Sequence, residues 1–108
     1  NDEASFELKS LRGKIVGNEN AVKNQMQAFT RGKSAQYLSD PIVTIRADRY
    51  VIPVKAEYRH QFGGVVHDQS QSGLTLYIEP QSVVDLNNKI SELRVKAHAE
   101  EQRVLQEL

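Results

Sequence analysis

Apolar residues recur every seven positions at both ends of the chain. Leu8, Ile15, Val22 and Phe29 are seven apart, with Leu11 three after Leu8 and Met26 four after Val22. That spacing lays them along one side of an α-helix and has heptad character. Asp2 is placed to cap the start of this helix, and Gly32 stands where a helix usually stops. Gly13 and Gly17 each weaken it by roughly 1 kcal/mol relative to alanine, which leaves room for a kink or break there. The far end repeats the pattern. Val83, Ile90, Ala97 and Val104 are seven apart, with Leu86 and Leu93 each three residues after one of them, and Pro80 stands just before, where a fixed φ suits a helix start. Two helices of about 28 residues would each be about 42 Å long at 1.5 Å per residue. Their stripes are expected to pack as an antiparallel coiled coil, weakened by Asn18, Gln25 and Glu100 on or near the seam.

Between the helices the period changes from helical to two. In "PIVTIRADRYVIPVK" a two-residue loop at Asp48-Arg49 pairs Ala47 with Tyr50, Ile45 with Ile52 and Val43 with Val54, all on one face. The other face then carries Ile42, Thr44, Arg46, Val51, Pro53 and Lys55, a mixed and mostly wettable surface. Pro53 cannot donate to a ladder, which points to an edge position or a bulge. "GGVVHD" reads as a strand, and "LTLYIEP" alternates Leu74, Leu76 and Ile78 inward with Thr75, Tyr77 and Glu79 outward. The expected fold class is α+β: a long antiparallel two-helix coiled-coil hairpin carrying a small antiparallel β-sheet at its tip.

With 108 residues the chain holds one small domain, which makes a deep catalytic cavity improbable. Lys plus Arg and Asp plus Glu are both 14, so any charged partner must be met by a local patch. There is no cysteine, hence no disulfide or thiolate metal site, as suits a reducing compartment. No apolar run is long enough to span a bilayer and no signal-peptide pattern appears, so a soluble, cytoplasmic protein is expected. The chain lacks an initiator methionine and ends at Leu108 inside a helical pattern. It is expected to be an excised piece of a longer protein, with both helices continuing into a larger body.

"HDQSQSG" brings His67, Asp68, Ser70, Ser72 and Gly73 within seven residues, the residue types of a hydrolase site. Triads assemble from residues far apart in sequence, and adjacent strand residues such as His67 and Asp68 point to opposite faces. The G-x-S-x-G pattern is absent as well, since Asp68 and Ser70 stand where it needs glycine. A hairpin loop, with Gly73 supplying a positive φ, accounts for the stretch and no catalytic residue is expected. "RGKS" at 31–34 ends like a phosphate-binding loop, but Gln27 occupies the place of its first glycine and a helix precedes it instead of a strand. The three histidines His60, His67 and His98 have no metal-ligand spacing, and no metal site is expected.

The basic residues of the middle are more informative. Arg31, Lys33, Arg46, Arg49, Lys55 and Arg59 stand against Asp40, Asp48 and Glu57, a local +3 in a chain of net zero. Arg46 and Lys55 fall on the outer sheet face and Arg49 on its turn, with Tyr50, Tyr58 and His60 nearby. Such a patch holds phosphates without reading bases. The plainer alternative is a solvated surface with internal pairs such as Arg49 with Asp48, and composition leaves both open.

The run "YLSDPIVTIRADRYVIPVKAEYRHQFGGVVHDQSQSGLTLYIEPQSVVDLNNKISEL" resembles the MutS family, in its second bacterial paralogue, which lacks the mismatch-reading domain. The resemblance rests on R-x-D-R-Y-V-I-P-V-K-x-E-Y-R at 46–59, G-x-V-H-D-Q-S-x-S-G-x-T-L-Y-I-E-P at 64–80 and V-V-x-L-N-N at 83–88. With "NDEASFEL" at the start, it covers nearly the whole chain. It implies a clamp with adjoining lever helices: a first lever helix at 1–32, a β-rich clamp at 33–80 and a second lever helix at 81–108. It further implies an intact homodimeric ATPase that uses ATP and Mg, carries a nuclease-type C-terminal domain, suppresses recombination and rescues collided ribosomes. The motifs for that chemistry lie outside this chain, where no cofactor is expected. Within it the resemblance implies backbone contact to branched DNA or ribosomal RNA, with Arg46, Arg49, Lys55, Arg59 and Lys33 as the candidate contacts. His67, Asp68, Ser70 and Gly73 would form a structural loop that buttresses the hairpin. The alternative from another class is a protein-interaction or dimerisation element acting through the coiled coil or a sheet edge.

Overall fold

The computed structural model describes residues 2–106, with side chains from Phe6 onward, so a capping side chain at Asp2 and the pattern at Leu108 lie outside what is described. Helix α1 runs Asp2–Arg31 without a break at Gly13 or Gly17. It stops at Gly32, whose N–H still donates to the Ala28 carbonyl at 3.1 Å. A 3-10 segment at Lys33–Tyr37 leads to strands β1 Thr44–Arg46 and β2 Arg49–Lys55, a second 3-10 segment at Ala56–Gln61, then β3 Val65–Gln69 and β4 Thr75–Glu79. Pro80 precedes a short 3-10 turn, and helix α2 follows at Val84–Gln106. The sheet is antiparallel throughout, in the order β1-β2-β4-β3.

The expected coiled-coil hairpin with a sheet at its tip is not what forms. The order is helix, sheet, helix, and the sheet packs on the helices themselves. The two helices meet each other through Leu11, Leu93 and Ala97, flanked by Leu8 and Ile15. Farther along the same stripe, Val22 and Met26 join Tyr50, Ile52, Val54, Leu76 and Ile78 of the sheet, together with Val83 and Ile90. The heptad positions are therefore apolar for two different reasons, and only part of the stripe faces a helix. Burying an Ile or Met side chain fully contributes about 1.5–3 kcal/mol, so the shared core outweighs what the helix pair alone can bury.

The β1–β2 pairing is also displaced. Ile45 lies opposite Tyr50 and Arg46 opposite Arg49, with the turn at Ala47-Asp48. Relative to the expected register the strands slide by two residues, which preserves the faces but moves Arg49 from the turn into β2. Both turn residues take positive φ, 53° at Ala47 and 61° at Asp48, the conformation whose twist matches a two-residue hairpin. Pro53 lies in β2, a strand with neighbours on both sides, opposite Tyr77. Its carbonyl accepts from the Ser39 N–H at 2.9 Å, so its own nitrogen points to the side where β1 has already ended and no ladder bond is lost. Val51 and Pro53 are buried, contrary to the wettable outer face expected of them. In β4 the alternation holds for Leu76 and Ile78, whereas Leu74, just before the strand, is 73% exposed and Glu79 only 1% exposed.

Gly64, at φ 76°, lets the start of β3 press against the end of β4. A Cβ there would stand 2.0 Å from the Glu79 carbonyl oxygen. Gly64→Ala is expected to destabilise the chain by about 2–4 kcal/mol in urea melts, through strained backbone and overpacking together. Ala47→Asn should act in the opposite direction, since asparagine tolerates left-handed φ. A gain of about 0.5–1 kcal/mol, read as a melting temperature higher by a few degrees, is expected.

Candidate functional site

The outer face of the sheet, where the sequence places a basic patch, is organised around a carboxylate. Glu79 ends β4 and is enclosed by three elements. Arg49 of β2 donates to Glu79 Oε2 through Nε and Nη2, and Asn87 of α2 donates to the same oxygen at 3.0 Å. His67 Nε2 lies 2.6 Å from Glu79 Oε1. Arg49 reaches on to the Val84 carbonyl at 3.4 Å, and Asn87 to the Tyr50 carbonyl at 3.4 Å. Burial alone would push the Glu79 carboxyl up. Hydrogen bonds from Arg49, His67 and Asn87 and the Arg49 charge outweigh it, and the group is held below its ordinary 4.5. It is therefore ionised at neutral pH and can only accept, which places the His67 proton on Nε2.

A bulge makes this possible. The β3–β4 register shifts between Val66 and Asp68, leaving His67 as the extra residue. His67 and Asp68 therefore reach groups on the same outer face, not opposite faces as a regular strand requires. Asp68 Oδ2 pairs with Arg46 Nε at 3.3 Å, and Arg46 lies 4.3 Å over the Tyr77 ring. Arg46 also donates to the Ile45 carbonyl at 2.8 Å. Ser70 Oγ accepts from the Thr75 N–H at 3.1 Å, and the Gly73 N–H closes the loop on the Ser70 carbonyl at 2.9 Å, with Gly73 at φ 76°. The polar groups of "HDQSQSG" are thus committed separately: His67 to Glu79, Asp68 to Arg46, Ser70 to its own hairpin. Nothing joins them as nucleophile and base.

Of the basic candidates, Arg46 and Arg49 are consumed internally. Tyr50 faces the core, not the patch, and its hydroxyl donates to Glu19 at 3.3 Å. Burial, then the Glu19 charge and hydrogen bond, push that phenol up, with Arg94 opposing. Lys55 Nζ donates to the Gln36 carbonyl at 3.1 Å. Lys33 and Arg59 are exposed, and neither has an ion-pair partner among the described residues. They lie on the two 3-10 segments, which abut through Tyr37 and Tyr58, ring centroids 4.9 Å apart. Of these candidates the two without an ion-pair partner or a hydrogen bond among the described residues are therefore on the 3-10 segments, and the two ion-paired arginines are on the sheet. Glu79 and Asn87 were absent from the sequence-level candidates, although both lie inside the quoted motifs. Those three motifs, at 46–59, 64–80 and 83–88, converge on this one carboxylate.

No protein-family model matches the chain. Curated proteins do. The chain is 83% identical over all its 108 residues to endonuclease MutS2 of Leuconostoc mesenteroides subsp. mesenteroides. It is 80% identical over the same length to that of Leuconostoc citreum and 59% identical over 97% of its length to that of Pediococcus pentosaceus. The chain belongs to the MutS family, in its MutS2 branch. It spans 14% of the length of the Leuconostoc relatives and 13% of the Pediococcus one. In this MutS2 segment the histidine of "HDQSQSG" is hydrogen-bonded to the carboxylate that joins sheet to helix.

Glu79→Gln leaves the Arg49 charge without its counter-ion and is expected to cost about 3–5 kcal/mol of stability at pH 7. The pH dependence has a definite sign. Because the folded-state value lies below 4.5, the stabilisation is present above about pH 4.5 and disappears as pH falls through the folded value. Urea melts between neutral and acid pH should show this acid limb in the native chain and a shallower one in Glu79→Gln.

Proposed function

We propose that this segment is a non-catalytic clamp of a MutS-type protein, gripping a nucleic-acid backbone without reading its sequence. The division into a first lever helix at 1–32, a clamp at 33–80 and a second lever helix at 81–108 belongs to the same reading. The observation that carries it is the corner where Lys33 and Arg59 stand exposed, with Lys55 at its border and Glu57 as an acid on the same 3-10 segment. Three cations against one carboxylate leave that region positive in a chain of net zero. Arg46 and Arg49, spent on Asp68 and Glu79, are framework and not grip.

The relatives are named endonucleases, a name that concerns proteins about seven times longer than this chain. In the intact protein, which we take to be a homodimer, we place ATPase and nuclease chemistry, with ATP and magnesium, outside these residues. Arg31-Gly32-Lys33-Ser34 does not fit an ATP site, because it follows α1 and enters a 3-10 segment instead of joining a strand to a helix. Branched DNA and ribosomal RNA both offer the phosphate backbone that the corner suits. No helix among the described residues is long and apolar enough to cross a membrane.

A rival reading, a protein-interaction element, draws on the hollow of about 750 Å³ between α1 and β1, with Ile45 of that edge strand and Ile42 just before it exposed. Fluorescence anisotropy with labelled branched DNA and structured RNA separates the two. Lys33→Glu/Arg59→Glu should weaken binding to both, for all sequences alike, and reduce the salt slope by about 2. Arg46→Gln should leave affinity nearly unchanged. Dimerisation that depends on concentration, with no affinity for either nucleic acid, would favour the rival.

A further inference from the structure

We infer that Tyr58 is a stacking platform for an unpaired base, so that the corner grips single-stranded nucleic acid, with Lys33 and Arg59 on the flanking phosphates. The inference rests on the nucleic-acid reading above and adds a ligand class to it. Four aromatic rings run outward from the core in series. Phe29, packed against the main core, meets Phe62 edge-on at 5.5 Å. Phe62 meets Tyr37 at 6.3 Å, and Tyr37 meets Tyr58 at 4.9 Å with the planes tilted by 50°. Tyr58 is 36% exposed, and among the described residues no ring other than Tyr37 and no cation lies against its own ring.

This is the geometry of an anchored ring with an open side. An isolated exposed tyrosine loses rotamer freedom when it binds, whereas a ring already backed by Tyr37 has little left to lose. Tyr58 itself departs from helical geometry, at φ −110° and ψ 17°, inside the 3-10 segment Ala56–Gln61. Arg59 and His60 follow it directly, and Lys33 is on the segment that carries Tyr37. Aromatic rings beside cations are the combination that holds single strands, because each base offers a face for stacking and each phosphate a charge. In a duplex the bases are stacked on one another and Tyr58 has nothing to receive.

The test is a titration of the chain with fluorescein-labelled strands of about 12 nucleotides, a length suited to one small binding site. Four probes are used: a deoxy strand, the ribo strand of the same sequence, an abasic deoxy strand of the same charge, and the deoxy duplex. The native chain should bind the base-bearing strands about tenfold more tightly than the abasic one. Tyr58→Ala, shown to be folded by circular dichroism, should lose that difference while keeping its affinity for the abasic strand. Tyr58→Phe should retain the difference, and unequal affinities for the deoxy and ribo strands would assign the natural partner. Equal binding of abasic and base-bearing strands by the native chain would overturn the stacking role alone. Equal losses on both strands in Tyr58→Ala would do the same, and no binding to any probe would overturn the nucleic-acid reading with it.

Discussion

A carboxylate that is 1% exposed has to be satisfied completely or the fold around it fails, and Glu79 imposes that condition on four separate elements. Its own strand presents it, β2 supplies Arg49, β3 supplies His67 and α2 supplies Asn87. The donors serve neighbours as well, Arg49 the Val84 carbonyl and Asn87 the Tyr50 carbonyl. Among the described residues no buried side-chain nitrogen or oxygen is left without a partner. The apolar core can tolerate a sliding sheet, since Ile and Val surfaces are non-directional. The Glu79 network cannot, because each donor reaches it from one register only.

Several local irregularities follow from that requirement. A regular β3 would carry His67 away from the face that holds Asp68, and the bulge after Val66 removes the difficulty. A turn at Asp48-Arg49 would leave Arg49 at the solvent edge, whereas the Ala47-Asp48 turn delivers it into β2 opposite Arg46. Two residues with positive φ are strained on their own account, and the charge network provides a reason for the chain to accept them. The packing of Gly64 against the end of β4 belongs to the same set, since it holds β3 beside the chain that carries Glu79.

The helices were legible because periodicity reports burial directly. Leu11, Val22, Met26, Ile90, Leu93 and Ala97 are buried as the seven-residue spacing requires. Periodicity does not say what lies opposite, and the far half of the α1 stripe faces a sheet where a helix was expected. The strands were legible as strands, and their faces survived a register error of two residues. Glu79 was not legible by alternation, since a charged residue at an outward position of an alternating strand ordinarily reads as solvated. What marked it was its company: Arg49, His67 and Asn87 lie in the same specific motifs, and residues held in specific patterns at long separation often share one contact.

The basic residues divide into two groups that differ in how freely they can change. Arg46 and Arg49 lie in the most recognisable motif of the chain, yet their charges are neutralised by Asp68 and Glu79. A substitution there alters the framework first and surface charge second. Lys33 and Arg59 have no such duty, so the charge of the corner can be changed at little cost to folding. Framework and exposed charge are thereby carried by different residues, and the ring series from Phe29 to Tyr58 ties the two 3-10 segments back to the core. Under the nucleic-acid reading proposed above, a surface that holds many sequences alike gains from this arrangement, because it depends on a rigid backing and exposed charge and not on a finely fitted pocket.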